Sequence, residues 1–504
     1  MSRQLHLFEL LKALTKAEKR YFKLHASRNV TGEKNSYVQL FDLLDSMKTF
    51  DKAKLDKALT ADLSISNLSV ANEYLFNAIL ESLELFNRGH SIDQQLAGQL
   101  AQAAILRDKG LYAPSFLLLI KAERLAQRHE RFTALVDIYG LMRTLMATNR
   151  FSETGSHDLP SVLNGALTAA RETQLLWEVR EIQYHFQRTL SLKGIVNREA
   201  QLTDLQALTR LPVLAQVTPN SAFHTQIIAM TIRSQYHVLA QELEESYVYS
   251  KGIYELCLAR PEVAGDGGRL LFAAANNYMM RCDQLQRYDE IRTTIGLLAT
   301  IEPVRTDVMT IKVETMCNFR MALALFDCDF SDASLVPSIE AELARFEGKL
   351  NPAFVMLLCT SISIYFFLQG RYHDALQWIN RFLYSPDRSS LNKNIPAAEL
   401  YRLLIFFEMG QFELLDSQNE SVKNLLRKRE DYPKLRATLH TFFRKGLKDN
   451  GTMKEKLDLL QGELRALFLS KEEYNAFDLF RFDIWALAKQ TNRPMHQLLR
   501  SKEQ

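Results

Sequence analysis

At 504 residues, with 62 lysines and arginines against 59 aspartates and glutamates, the chain is long and carries a formal charge of only +3. This length exceeds what one compact core usually needs, so we expect several domains or a repetitive array. Only 19 glycines and 12 prolines are present, which disfavours a fold rich in sheets and tight hairpins. The composition predicts a folded all-α protein and excludes a disordered one.

The cysteines and the apolar segments indicate the compartment. Five cysteines without CxxC spacing predict reduced, mostly buried thiols, and neither a disulfide framework nor a zinc site. The amino terminus lacks the apolar core and cleavage site of a signal peptide. The uncharged stretch 350–370 has a polar middle and too few apolar residues to span a bilayer, so we predict a helix buried on most sides. We therefore expect a cytoplasmic protein without membrane contact.

Residues 1–90 are predicted to form a basic helical domain. Thr15 followed by Glu18 forms a capping box that starts a helix at Lys16. The stretches LTKAEKRYFKL and GEKNSYVQLFDLLD resemble the start of a group of uncharacterised bacterial helical proteins, and that resemblance implies no function. The predicted helices are Arg3–Leu14, Lys16–Ser27, Ser36–Lys48, Asp51–Leu59 and Leu68–Asn87.

The second of these helices carries a basic face. Residues 1–60 contain 12 lysines and arginines against 7 acids, and four cations fall within about one third of the helix circumference: Lys16, Lys19, Arg20 and Lys23. Ala17, Tyr21 and Leu24 form a neighbouring apolar stripe that we expect to point inward. The four cations are candidates for binding nucleic acid or an acidic protein. A second basic cluster at 422–448 suits the same partners. The alternative is that the first cluster is an ordinary solvated helix face and the second a polar cap on the last repeat.

A phrase of glycine, aromatic and small residue recurs along the chain. It is clearest in LQGRYHDALQWINRF, with Gly370, Tyr372 and Ala375, and in DKGLYAPSFLLLIKA. Its aromatic positions stand about forty residues apart, at Tyr247, Tyr288, Phe330, Tyr372 and Phe412, with Tyr112 and Phe151 as an earlier pair. Self-similarity near this period predicts stacked helical hairpins.

The phrase resembles the helix-to-helix turn of the tetratricopeptide repeat. That resemblance implies a superhelix of antiparallel helical hairpins with a period of about 40 residues over residues 95–430. Two degenerate repeats are assumed between Phe151 and Tyr247, with helices around Trp177 and Phe223. Residues 431–504 are interpreted as C-terminal capping helices, predicted at Lys454–Phe468 and Lys471–Lys489.

The sequence contains no established catalytic motif. It lacks GxxxxGK[ST], HExxH and GxSxG patterns, and its one glycine-dense loop, AGDGGRLLF, has no preceding strand with which to form a phosphate cradle. Adjacent carboxylates such as Glu244 and Glu245 point about 100° apart on a helix and do not flank one bond. We therefore expect a non-enzyme with no catalytic residue, no metal site and no cofactor.

The repeat alignment yields one set of candidate binding residues. It places four uncharged polar residues at the same position of successive first helices: Gln235, Asn276, Asn318 and Thr360. In such superhelices the first helices line the concave face, so this ladder is suited to hydrogen-bonding an extended peptide. Met280 and Ile364 would add apolar contacts beside it. The alternative is that the four are polar residues tolerated on a water-facing wall.

Two functions follow from these features. The first is a non-catalytic protein- or peptide-binding scaffold that uses the concave face. The second is a nucleic-acid-binding regulator in which the basic helical domain binds nucleic acid and the repeats sense a partner. The sequence leaves partner identity and oligomeric state open.

Overall fold

The structure of the protein is a computed structural model. It describes residues 3–28, 36–47, 49–50, 68–87, 91–148, 157–191, 198–265, 267–303, 305–386, 394–427, 431–446, 452–470, 473, 476–477 and 479–500. These residues form helices joined by turns, and no strand occurs among them. The all-α prediction is confirmed.

The chain folds into two compact units, residues 1–181 with 217–225 and residues 182–216 with 226–504. The first unit contains α1 (Arg3–Ala13), α2 (Lys16–Arg28), α3 (Ser36–Ser46), α4 (Leu68–Asn87), α5 (Ile92–Asp108), α6 (Tyr112–Arg128) and α7 (Phe132–Met146). Two helices contain residues of both units, α8 (Leu159–Ser191) and, three helices later, α11 (Phe223–Leu239); between them lie α9 (Arg198–Thr209) and α10 (Pro212–Gln216).

The second unit continues through fourteen described helices. They are α12 (Leu243–Ala259), α13 (Pro261–Ala264), α14 (Arg269–Gln284), α15 (Tyr288–Ala299), α16 (Thr306–Asp327), α17 (Leu335–Arg345), α18 (Pro352–Leu368), α19 (Tyr372–Leu383), α20 (Ile395–Glu408), α21 (Phe412–Leu426), α22 (Pro433–Thr441), α23 (Met453–Phe468), α24 (Phe482–Thr491) and α25 (Met495–Arg500). Phe442–Gly446 extend α22 as a π-helical turn.

The four amino-terminal helices begin and end close to their predicted bounds and share one core. The capping box is confirmed: the Thr15 N–H donates to Glu18 Oε2 at 2.7 Å, and the Glu18 N–H donates to Thr15 Oγ1 at 3.3 Å. The predicted inward stripe is confirmed for Tyr21, which is half-buried with its ring 5.2 Å from that of Phe86. It is wrong for Ala17 and Leu24, which are exposed, Leu24 by 53%. Phe22 is the buried residue of α2 and stacks on Phe41 with 4.7 Å between ring centroids. The predicted helix Asp51–Leu59 lies outside the described residues.

Eight helix ends among the described residues share one turn geometry. A residue with positive φ closes each end, and these residues are Gly110, Glu130, Gln241, Gln286, Cys328, Gly370, Gly410 and Asn492. The next N–H donates to the carbonyl five residues back, as Arg371 does to Phe366 at 3.0 Å and Gln411 to Phe406 at 3.1 Å. This is the Schellman arrangement, which satisfies the last carbonyls of a helix and reverses the chain. Four of these turn residues, Gln286, Cys328, Gly370 and Gly410, follow one another at intervals of about forty residues.

Small residues allow close approach where consecutive helices cross. Ser363 Oγ of α18 donates to the Ala375 carbonyl of α19 at 2.6 Å, and both residues are fully buried. Ser115 of α6 makes the same contact with the Ala103 carbonyl of α5 at 2.8 Å. A side chain larger than serine or alanine would separate these backbones, so the small residue of the recurring phrase permits the close packing of the two helices.

One detail of the repeat alignment requires correction, and one lies outside the described residues. Tyr247 lies inside α12, which begins at Leu243, so it does not stand at the turn before that helix. Both helices predicted between Phe151 and Tyr247 are present: Trp177 lies in α8, a helix of 33 residues, and Phe223 begins α11. Phe151 lies outside the described residues.

The C-terminal helices pack into the same core as the helices that precede them. One cluster of buried residues runs from Val313 in α16 to Ala486 in α24. Glu473 is fully buried, and its carboxylate accepts the Lys434 and Leu435 N–H groups at 2.9 and 3.2 Å, which caps the start of α22. The predicted bounds of the helix Lys471–Lys489 were wrong. This helix, α24, begins at Phe482 and ends at Thr491, and the described residues before Phe482 do not form an α-helix.

The uncharged stretch 350–370 forms α18, which buries ten of its seventeen residues, as predicted. The Asn351 side chain caps its start by accepting from the Ala353 N–H at 2.9 Å. None of the helices among the described residues combines the length and apolar character that crossing a bilayer needs.

Candidate functional site

A groove of the second unit lies along three of its helices, and we call it the first-helix groove. Its volume is about 800 Å³. Asn318 of α16 and Thr360 of α18, two of the four ladder residues, both line it, and Ala397 of α20 continues the same wall. A groove of this size holds several residues of an extended peptide or a drug-sized molecule.

The polar groups of this groove differ in what they offer a ligand. Thr360 is 7% exposed, and its hydroxyl donates to the Met356 carbonyl of its own helix at 3.2 Å. The half-buried Asn318 side chain has no hydrogen-bond partner among the described residues. A side-chain amide both donates and accepts, which matches the hydrogen-bonding groups of a peptide backbone. Asn318 is therefore the stronger candidate of the two.

Apolar and acidic side chains complete the wall of the groove to which Asn318 and Thr360 belong. Phe326 and Leu357 line it and are 45% and 44% exposed, which is high for apolar side chains of this size. At one end stands Asp283, whose pKa is raised by burial although the Tyr288 hydroxyl donates to it. Burial and the neighbouring Asp283 carboxylate in turn raise the pKa of Tyr288. The groove therefore presents exposed apolar surface with few charges.

The opposite wall comes from the C-terminal segment, residues 476–500. Phe480 lines the groove and packs on Tyr401 and Phe367, with ring centroids 4.7 and 5.2 Å apart. Further along, the Arg500 guanidinium donates to the Asp327 carbonyl at the end of α16, with its Nε at 2.6 Å. The segment thus reaches helices about 170 residues earlier in the chain.

The sequence did not predict this wall, because its pattern indicated only a cap on the last repeat. The available signal was the aromatic density of AFDLFRFDIWALA, which is too apolar for a solvent-facing cap. Pattern alone does not identify which helices such a segment covers, because the contacts are remote in sequence.

The remaining two ladder residues lie elsewhere. Gln235 lines a separate pocket, and its Oε1 accepts from Gln187 Nε2 at 2.8 Å. Asn276 lines neither cavity and lies 3.6 Å from Met280 Sδ of its own helix. Its neighbour Asn277 lines the pocket of Gln235 instead. The structure therefore brings Asn318 and Thr360 together and leaves Gln235 and Asn276 apart from them.

Two of the four basic-face cations of α2 are engaged by α3. Lys19 Nζ lies 2.7 Å from Asp45 Oδ1, and Lys23 Nζ lies 2.6 Å from Asp42 Oδ1. Lys16 and Arg20 are exposed and form no ion pair within the described part of the chain. The α2–α3 pairs neutralise half of the candidate face, so the field that it presents to an anionic partner is weaker than its sequence indicates.

The described residues also bear on the cysteines and on metal binding. All five cysteines are buried and free, which agrees with the predicted buried thiols. Within the described ranges, no three histidine, cysteine, aspartate or glutamate side chains converge as they would around a metal ion.

Comparison with known proteins adds no relative from which a function could be transferred. No family model, no curated protein and no solved structure matches this chain.

Proposed function

We propose that this protein is a non-catalytic scaffold that binds an extended segment of a protein partner in the first-helix groove. The observation that carries the proposal is the groove itself, where Asn318 and two exposed apolar side chains, Phe326 and Leu357, face one cavity. Apolar contacts supply most of the affinity of such sites, and a few polar groups fix the orientation of the ligand.

We further propose that the repeats form a tetratricopeptide-like superhelix and that the protein is cytoplasmic. The recurring Schellman turns and the serine-to-carbonyl contacts at helix crossings support the first part. Buried free cysteines support a reducing compartment. In a superhelix of this kind the first-helix groove lies on the concave face, where a partner strand is held on several sides.

The experiment is affinity capture from native lysate, with and without nuclease, using three forms of the full chain. The test variant combines Asn318→Ala with Leu357→Ser. The matched control is Leu297→Ser, because Leu297 is 41% exposed and lines neither cavity. We expect a specific protein that survives nuclease, remains on the control and falls at least roughly tenfold on the test variant, the effect of losing about 1.4 kcal/mol of binding energy. Equal capture by all three forms would reject the groove.

The nucleic-acid alternative remains a second proposal with weaker support. Among the described residues, the unpaired cations of the basic face are Lys16 and Arg20. If each neutralises one phosphate, log affinity should fall against log salt with a slope of about −2 at most. A steeper slope, together with partners that disappear on nuclease treatment, would favour that alternative over the scaffold.

A further inference from the structure

The pocket that Gln235 lines contains a buried arginine, a feature that the first-helix groove lacks. We call it the Arg281 pocket. It lies between α11, α12 and α14 and encloses about 470 Å³. Gln235 of α11, Ser250 of α12, and Asn277 and Arg281 of α14 are its principal polar lining residues. It shares no lining residue with the first-helix groove.

Arg281 is nine-tenths buried, with 8% of its surface exposed. Its Nη1 atom is buried and has no hydrogen-bond partner, and no carboxylate among the described residues pairs with the guanidinium. Burial lowers the pKa of this guanidinium, and no neighbouring acid offsets that effect. A buried charge is ordinarily paired, because desolvation without a partner is costly. Arg281 therefore lacks the counter-ion that its position requires.

The rest of the lining indicates which anion would supply it. Among the described residues, no aspartate or glutamate lines the pocket, and Arg281 is the only cation that does. Most of the remaining surface is apolar, with Ile227, Leu239 and Leu270 among its side chains. The hydroxyl of Ser250 is occupied by Ser234, 2.9 Å away. A single arginine in an apolar pocket matches one carboxylate attached to an apolar body, whereas phosphate groups are usually held by several donors and more positive charge.

We propose that the Arg281 pocket binds the carboxylate of a ligand with an apolar body, held by the Arg281 guanidinium and flanked by the amides of Gln235 and Asn277. Such a carboxylate has two sources, a small aliphatic acid or the C-terminus of a peptide with apolar last residues. Both place one anionic group against the arginine and hydrocarbon against the apolar wall.

The test is isothermal titration of the full chain with defined probes. Octanoate represents the aliphatic acid, and N-acetyl-Ala-Leu-Leu with a free carboxylate represents the peptide. Octanamide and the amidated peptide are matched neutral controls, and inorganic phosphate tests the other anion. We expect at least one acid to bind roughly 10- to 100-fold more tightly than its amide, the usual effect of a charge-assisted bidentate hydrogen bond. The tighter acid identifies the source.

Two variants locate the binding. Arg281→Met removes the charge and keeps the length, and we expect it to lose the preference for acid over amide. It should also unfold at the same temperature as the unliganded wild type or higher, because it deletes an unpaired buried charge. A merely structural arginine would instead lower the unfolding temperature. Arg269→Met is the control, since Arg269 is exposed and pairs with Asp307 at 3.6 Å.

Several outcomes would overturn the proposal. They are equal affinity for acid and amide, binding of phosphate but of neither acid, no binding of either acid, and unchanged selectivity in Arg281→Met. The peptide-scaffold proposal does not depend on any of them, because the two cavities have separate linings.

Discussion

Glu408, the last residue of α20, joins the C-terminal segment to that helix, and its removal should release the segment. Its side chain is 4% exposed. Oε1 accepts from Trp485 Nε1 at 2.6 Å, and Oε2 lies 2.5 Å from Lys489 Nζ. Burial and the neighbouring Glu408 carboxylate raise the pKa of Tyr372. One buried acid thus holds two residues of α24.

Glu408→Ala should lower the free energy of unfolding by about 3–5 kcal/mol, the usual cost of breaking a buried charged network by removing one partner. The indole N–H of Trp485 would be left buried without an acceptor, which alone costs about 1–3 kcal/mol. Glu408→Gln keeps the shape and one acceptor for the indole, so we expect a smaller loss of about 1–3 kcal/mol.

Urea unfolding followed by circular dichroism measures the loss, and hydrogen exchange resolved by residue shows where it falls. Exchange should accelerate first in α24 and α25, ahead of α16. Thr491→Ala is the matched control, because Thr491 is exposed at the end of α24 and its hydroxyl bonds only within that helix, so we expect a loss of about 0.5 kcal/mol or less. A cost below about 0.5 kcal/mol for Glu408→Ala, or unchanged protection of α24, would refute this account of how the segment is held.

Three further outcomes test other parts of the structure. Burial raises the pKa of Cys317 to about 11, so the native state keeps this thiol protonated while the unfolded state ionises. Between pH 9 and 11 this thiol alone should lower stability by up to about 1.4 kcal/mol per pH unit, and urea titrations of Cys317→Ala should show a decline that is smaller by that amount. Gly370→Ala, at φ 74° with open space around the new methyl group, should lower the free energy of unfolding in urea by about 1–2 kcal/mol. Gln286→Gly, at φ 57°, should raise the same free energy by up to about 1 kcal/mol. Lys19→Ala should cost about 0.5–1 kcal/mol at low salt, since Lys19 pairs with α3, and more than Arg20→Ala does; equal effects would contradict that pairing.

The turns show how far local sequence determines the fold. Gly110, Gly370 and Gly410 were recognisable because glycine is the residue that adopts positive φ without strain. Glu130, Gln241, Gln286 and Cys328 take the same conformation, and nothing in their residue type predicts it. Their strain is tolerated because the helices on either side fix the turn, so these turns become visible only in the structure.

The face of α2 shows a second limit. A helical wheel locates an apolar stripe, but it does not say which neighbours the helix meets. Leu24 belongs to the stripe and is exposed, whereas Phe22, adjacent to the cations, is buried against Phe41 of α3. The pairing of Lys19 and Lys23 with α3 follows from that rotation and was equally hidden from the sequence.

Of the candidate site, the sequence identified Asn318 and Thr360 through repeat alignment. It did not identify the opposite wall, because Phe480 and Arg500 meet helices that are remote in sequence. Nor did it identify Arg281, which lies one turn after Asn277 within the apolar stretch NNYMMRC. A charged residue on the inner face of a buried helix was the available signal, and its lack of a partner is evident only from the packed structure.

Site-specific photo-cross-linking in the groove tests the central claim most directly. A photoreactive phenylalanine analogue at Leu357, which is 44% exposed inside the groove, should cross-link to one discrete protein in native lysate. The same analogue at Glu347, exposed and outside the groove, should not. Addition of the Asn318→Ala change should weaken the Leu357 adduct. Two results would contradict a scaffold that binds its partner in the first-helix groove. One is identical cross-linked products at both positions, and the other is no protein adduct at Leu357 in the chain that retains Asn318.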